Sequence, residues 1–569
     1  MSLFGAIQMG GNTLRAMQIG LQVVGNNIAN ANTPGYVRQE TIYAPAPVQR
    51  VGGLILGTGV TVDGIVQKLD RFVQERLVGA RGDRANAELQ EQVYGDLEVL
   101  LNELSDEVDL TSALTGFFNA IDEVMRDPGN VATRNLAVEK GKALAQNIVS
   151  LHNRAYGLQQ ELDRRVTAVG DEINTLAEQI RRLNLQIAST EGGNSSTSEA
   201  AGLRVRRQEA VDRLSELVGI TVNEQPSGGL AISIGGEFLV FEGQRRVVEI
   251  GTSTESGLAH GFVQFADTRS AITATTGELS GMYTARDEIL DSFLSRLDEL
   301  AGTLAFEFNK VYSQGQGLVG FQQLTSVEAI SDADAALDAA GLAFTPVSGA
   351  FDLVLSSRSN AQQTQTHTIL IDLDGLDADT TLASLAAQLD AIDGLSATIS
   401  STGALELTTD STDTEFSFAG DTSGVLAALG LNTFFTGSSA ATVGVNSEVT
   451  GIGNAAKFAA SLGGIGNDAG NAERLAVFLD EPLASTGDAS LADLYNQLLN
   501  EVTQGASIAQ SVAEGYRVFE GTLEGKQQAV SGVSIDEEAI KMITLQRIYQ
   551  ASARYIQTVT ELLDLLVNL

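Results

Sequence analysis

The sequence contains no cysteine and no tryptophan, and aromatic residues fill only 5% of its 569 positions. Without cysteine there can be no disulfide, no thiolate metal site and no cysteine nucleophile. Basic residues are few, 35 Lys and Arg against 72 Asp and Glu, which leaves a formal net charge of −37. That balance argues against nucleic acid and against an anionic membrane surface as partners. No run of about 18 apolar residues is present, the length a membrane-spanning helix needs. The N-terminus has no basic segment followed by a compact apolar stretch and a cleavage site, so no cleaved secretory signal is expected. If the protein leaves the cell, another route must carry it. The three histidines, His152, His260 and His367, have no neighbour at the spacing of a zinc pair or of a catalytic triad. No enzyme, metal or cofactor is therefore expected.

What is present is pattern at the two ends. Leu3, Ile7, Gly10, Leu14, Met17, Leu21, Val24 and Ile28 follow one another at intervals of 4 and 3. Met542, Leu545, Tyr549, Ser552, Ile556, Val559, Leu563 and Leu566 do the same at the other end. Each set is a heptad seam on one face of a helix, and a seam needs a partner. The terminal helices are expected to pair with each other or with neighbouring molecules, the second being preferred. A further row on the last helix, Ile548, Tyr555, Leu562 and Leu569, widens its stripe beyond a two-helix seam.

Between the ends, 569 residues with 43% hydrophobic content point to three or four domains at about 150 residues each. Helix dominates 66–218, with a long stripe from Leu151 through Leu158, Leu162 and Val166 to Ile187 and a loop at Gly192–Ser198. Residues 220–280 alternate with period 2, as in Leu230, Ile232 and Ile234, and read as a small β domain. Helix returns at 281–312. Residues 321–445 lose lysine entirely and read as an inserted α+β module, with a last helical block from about 453 to 569, broken near Asp480–Asp488 and at Ser531–Ser534. The expected fold is mainly α with β modules. Coiled-coil terminal helices (1–45 and 530–569) join an elongated helical body (46–219, 281–320 and 446–529), and the 220–280 and 321–445 modules loop out of it.

Two local motifs do not carry chemistry. Gly315-Gln-Gly317-Leu-Val-Gly320 has the spacing of a dinucleotide loop but follows a helix instead of a strand. Asp372, Asp374, Asp377 and Asp379 suggest a calcium loop, yet counting from Asp372 puts Leu376 at position 5 and Asp377 at position 6, where a ligand and a glycine belong. An acidic, solvated turn fits better.

The segment Asn26-Asn27-Ile28-Ala29-Asn30-Ala31-Asn32-Thr33-Pro34-Gly35-Tyr36 resembles the signature of the flagellar axial proteins of rod, hook and hook–filament junction. Its continuation Val37-Arg38-Gln39, the run Ser531–Ala539 followed by Gln546, Tyr549 and Gln550, and Arg286-Asp287 ahead of an apolar stripe are similar to the hook-associated proteins of the junction. Physically, Asn26, Asn27 and Asn30 are placed to bond terminal helix carbonyls, Thr33 and Pro34 stop the helix, and Gly35 permits a positive φ. The resemblance implies a structural protein that self-associates in a ring-like zone. Hook protein would lie below it and a second hook–filament junction protein above. It further implies passage through the flagellar type III export channel to the cell exterior, and an export chaperone on the C-terminal helix. Another axial protein, of hook or distal rod, is the alternative. The terminal helices are expected to be mobile in the isolated subunit and to order on assembly.

Overall fold

Helix forms where apolar residues recur every three or four positions, and strands form where they alternate. The computed structural model describes all residues except 1–2, 34, 52–53, 103–109, 193–198, 242, 254–259, 361–362, 377, 467 and 569. Expectations for Pro34, for Asp377, for Leu569 and for most of the loop after Gly192 thus fall outside the described residues.

The chain begins with α1 (Leu3–Ala29), then β1 (Gln39–Pro45), β2 (Gln49–Val51), β3 (Leu54–Leu56) and β4 (Val60–Gln67). Four helices follow, α2 (Arg71–Asn102), α3 (Leu110–Arg126), α4 (Val131–Thr190) and α5 (Ala201–Leu217). Next come β5 (Thr221–Glu224), β6 (Leu230–Ile234), β7 (Glu237–Phe241), β8 (Gln244–Arg245), β9 (Val248–Ser253) and β10 (His260–Phe265). Then α6 (Glu278–Thr284) runs through a π-helical turn, Ala285–Leu290, into α7 (Asp291–Tyr312). The next stretch holds β11 (Gln323–Ala329), β12 (Gly349–Ser357), β13 (Thr364–Ile371), α8 (Leu382–Asp390), β14 (Leu395–Ile399), β15 (Ala404–Thr409), β16 (Thr414–Ala419), α9 (Val425–Leu429), β17 (Phe435–Thr436) and β18 (Gly444–Val445). After α10 (Ser447–Thr450) and α11 (Gly470–Ala476), α12 (Leu491–Ser531) and α13 (Ile535–Val567) close the chain. The fold is mainly helical with β modules, but long helix resumes only at Leu491. The stretch from 453 to the expected break near Asp480–Asp488, expected to be helical, holds only short helices and turns among its described residues. Its glycines are the reason, since Gly453, Gly464 and Gly466 all take positive φ.

The chain divides into two units: residues 1–93, 160–286 and 507–569, and residues 94–159 and 287–506. In the first, α4 buries Val166, Ile173, Ala177, Ile180 and Ile187. It also carries sheet backbone. Asn174 donates to the Val248 carbonyl at 2.8 Å and accepts from the Val248 N–H at 3.0 Å. Asn184 does the same for Leu230, at 2.8 and 3.0 Å. The two asparagines are ten residues apart, close to three helical turns, so one face of α4 serves both β5-β6-β7-β8 and β9-β10. The π-helical turn places Arg286, 3% exposed, where it donates to Asp163 at 2.8 Å and to the Gly261 carbonyl at 2.7 Å.

The second unit is built on phenylalanine. Phe117, Phe308, Phe434, Phe435, Phe458 and Phe478 are fully buried, with ring centroids such as Phe117–Phe308 at 5.4 Å and Phe434–Phe435 at 4.8 Å. Phe321 to Leu431 contribute a separate apolar cluster around sheets β11-β15-β14 and β13-β12-β16. The Gly315–Gly320 motif serves close packing. A Cβ on Gly317 would lie 2.6 Å from the Ala456 carbonyl oxygen, and one on Gly320 would lie 2.9 Å from that of Phe416.

Candidate assembly interface

Within one chain, α1 and α13 pack against each other, and the pair is antiparallel. Gly10 meets Ile556, Gly20 meets Leu545, and Asn27 meets Glu538, so one number falls as the other rises. Each terminal seam thus meets the opposite terminus of the same chain, the first of the two expected arrangements.

The seam on α1 is rotated by about one residue from the expected one. Its buried positions are Ala6, Gly10, Ala16, Met17, Gly20, Val23, Val24 and Asn27. Gly10, Met17 and Val24 belong to both sets, whereas Leu3, Ile7, Leu14, Leu21 and Ile28 are half-buried flanks. Small residues explain the rotation, because they let the helix axes approach while larger neighbours wrap the sides. A Cβ on Gly10 would stand 2.5 Å from Ile556 Cγ1, and one on Gly20 would collide with the Tyr43 hydroxyl from β1.

On α13 the picture is lopsided. Of its 33 residues only Glu538 and Val559 are buried. Met542, Leu545, Ser552, Ile556 and Leu563 are half-buried, and Tyr549 and Leu566 are exposed. In the second row Tyr555 is half-buried and Ile548 and Leu562 are exposed. Ile540, Ile543, Leu565 and Val567 are exposed as well. One helix, α1, covers one side of a stripe that runs most of the way round α13.

The signature segment acts as a joint. Asn30 bonds a helix-end carbonyl as expected, donating to Asn26 O at 2.9 Å. Thr33 N–H then donates to Asn30 O at 2.9 Å, and Gly35 has φ +71°. Asn27 departs from expectation and leaves the helix end alone. Its amide donates to Gln39 O and to Glu538 Oε2, both at 2.9 Å, and accepts from the Tyr36 hydroxyl and the Gln39 N–H, both at 3.0 Å. All four hydrogen-bonding positions of the amide are filled. Asn26 Nδ2 reaches the Tyr36 oxygen at 3.3 Å. Burial, and after it the Glu538 carboxylate, push the Tyr36 phenol above its ordinary pKa, which keeps it a donor.

Arg38 completes the joint. It donates through Nε to Glu538 Oε1 at 2.9 Å, and its Nη1 pairs with Glu537 at 2.9 Å. The Glu538 side chain is 1% exposed and that of Arg38 8%. Both carboxylates lie in the first turn of α13, where they also meet the positive end of the helix dipole. Ser534 opens that helix by accepting from the Glu537 N–H at 3.5 Å. Arg38 and Glu538 stand in the signature runs, but nothing in residue spacing tells that these two, 500 positions apart, are a buried pair.

The geometry of paired termini can be set beside known proteins. Residues 94–324 match the family described as the flagellar hook-associated protein FlgK helical domain. Residues 7–36 match the flagella basal body rod protein family, and residues 526–569 match the flagellar basal body rod FlgEFG protein C-terminal family. A solved structure of the flagellar hook junction protein FlgK from Burkholderia pseudomallei aligns at 13% identity with a TM-score of 0.49, covering 80% of this chain and 100% of that one. Flagellar hook-associated protein 1 of Salmonella typhimurium is 25% identical over 578 residues, spanning 98% of both chains. The Bacillus subtilis protein of the same name is 24% identical over 604 residues, spanning 100% of this chain and 98% of its own. The two full-length alignments run through 321–445 as well as through both ends, so the chain is similar to flagellar hook-associated protein 1 over nearly its whole length.

Proposed function

We propose that this structural component of the bacterial flagellum forms the junction zone between hook and filament by helical self-assembly, and that the α1–α13 pair is the element through which copies join. The observation that carries this reading is the one-sided cover of α13. An apolar stripe that one helix leaves half open is completed by further helices. In this arrangement residues 1–45 and 530–569 form an inner core. Residues 46–219, 281–320 and 446–529 form the body, and the 220–280 and 321–445 modules face outward. The candidate contact residues are Leu3, Ile7, Leu14, Leu21 and Ile28 on the flanks of α1, and Met542, Tyr549, Leu563 and Leu566 on α13. Met17, Val24, Leu545, Ile556 and Val559 build the pair itself.

The partners are other copies in a ring-like zone, hook protein on one side and a second hook–filament junction protein on the other. Before assembly, an export chaperone covers α13. The protein reaches the cell exterior by flagellar export and performs no catalysis. In the described residues no helix is long and apolar enough to cross a membrane.

The test is a strain lacking this chain. Hooks without filaments, and flagellin lost to the medium, are the expected result, reversed by the intact chain. Normal filaments in the deletion strain would overturn the proposal.

A further inference from the structure

In the second unit, α4 and the β18 segment border an open groove of about 630 Å³. Val149 and Val443 give it an apolar floor, and Lys142, Gln146, Asn153 and Arg154 give it a polar rim without a single carboxylate. In a chain with twice as many acidic as basic residues, an acid-free rim with two cations is a local reversal of charge. Lys142 has no ion-pair partner among the described residues. The rim residues lie on one face of α4, spread over about three turns, or roughly 18 Å.

The complement is found on the same chain. Past the end of β13, Asp372, Asp374 and Asp379 bring carboxylate oxygens within 4.8 Å of one another. Between them Leu376 is 84% exposed. The turn is braced, since Asp374 accepts from the Leu376 N–H at 2.9 Å and Asp379 from the Gly375 N–H at 3.0 Å. It therefore presents an exposed leucine in the same turn as three clustered carboxylates. Those charges repel one another and gain from a cation brought close.

We propose that the acidic turn of one copy seats in the α4–β18 groove of the next, with Leu376 on Val149 and Val443 and the aspartates facing Lys142. The proposal rests on the reading that copies of this chain associate, and it names a contact away from the terminal helices. Plug and socket are different patches, so the contact is heterologous. A heterologous contact is the kind that propagates into rings or helices instead of closing a dimer. Leucine supplies affinity, and the charge pair supplies orientation and rejects a turn-on-turn encounter.

The absence of native cysteine makes the test clean. Gln146→Cys and Leu376→Cys chains are co-expressed in the strain lacking the protein, and purified flagella are oxidised. The expected result is a covalent dimer that forms only when both variants are present and disappears when Lys142→Glu is added to the groove chain. Without any cysteine, Lys142→Glu should lower filament number, and Lys142→Glu with Asp374→Lys should restore it. Filaments that grow without yielding the dimer, or a charge swap that rescues nothing, would overturn the contact and leave the junction role standing. Failure of the unaltered chain to restore filaments would instead overturn the junction role, and the contact with it.

Discussion

Phe308 on α7 and Ile556 on α13 each sit on the apolar face of a long helix, yet their surroundings differ. Phe308 is fully buried among Phe117, Phe118, Phe434, Phe435 and Phe478, all supplied by the same unit. Ile556 lies over Gly10 on one side only and remains half-buried. The aromatic core is complete within one copy. The terminal pair is folded but not finished, and what holds it in place is a polar joint as much as an apolar one. A sealed core and an open seam should respond differently to the same kind of substitution.

The largest effect belongs to the sealed core. Phe308→Ala removes a ring that no exterior partner can replace and leaves a cavity, at a cost of about 3–5 kcal/mol. Urea unfolding of the isolated protein should show the loss in the transition of the second unit. A shift below about 1 kcal/mol would mean that the ring cluster is far looser than its centroid distances suggest.

Nearly as large, but local, is the joint. Arg38→Ala strands the Glu538 carboxylate in a site where it is 1% exposed. Breaking a buried pair from one side costs roughly 3–5 kcal/mol. The lower end is expected here, because Lys541 remains 3.7 Å from Glu538. Amide exchange should accelerate at the start of α13 and in the signature segment while the aromatic core is untouched. Equal acceleration throughout the protein would show that the joint supports more than the terminal pair.

A smaller effect comes from Gly10→Leu. The new side chain would meet Ile556, whose Cγ1 stands 2.5 Å from the position of the first added carbon. Overpacking of this kind costs about 1–3 kcal/mol. The pair should loosen, and exchange at the N-terminal half of α1 should rise. No change would place the close approach elsewhere along the seam.

These same residues mark what was legible in advance. The existence of both terminal helices, the strands β5 to β7, the mixed α+β character of 321–445, and the helix stop at Thr33 and Gly35 follow from periodicity and turn chemistry. The rotation of the α1 seam does not. Ala6, Gly10 and Gly20 carry little hydrophobic signal, so a reading that looks for leucine and isoleucine selects the neighbouring positions. β16 escaped although Glu415-Phe416-Ser417-Phe418 alternates polar and apolar, because a run with only two large apolar residues is a short signal; the structure buries all four. The Asn27–Glu538 and Arg38–Glu538 contacts join the two ends of the chain, and single-sequence spacing holds no information at that range.

The smallest effect on the folded chain is also the sharpest test of the comparison. Leu562 and Leu565 on α13 are 49% and 62% exposed. Leu562→Asp and Leu565→Asp should change stability of the isolated protein by no more than about 0.5 kcal/mol, the usual limit for exposed positions. In the assembled flagellum the same carboxylates would be buried against a neighbouring helix without a partner, and such burial is costly. Filament growth should therefore fail although the protein folds. Tyr549→Asp should behave likewise, since Tyr549 is exposed. Ile556→Asp is a poorer probe, because Ile556 also builds the pair with Gly10 and its loss would damage fold and assembly together. Filaments that grow normally on Leu562→Asp and Leu565→Asp chains would mean that the open side of α13 stays in water, and that α1 is the only helix it meets.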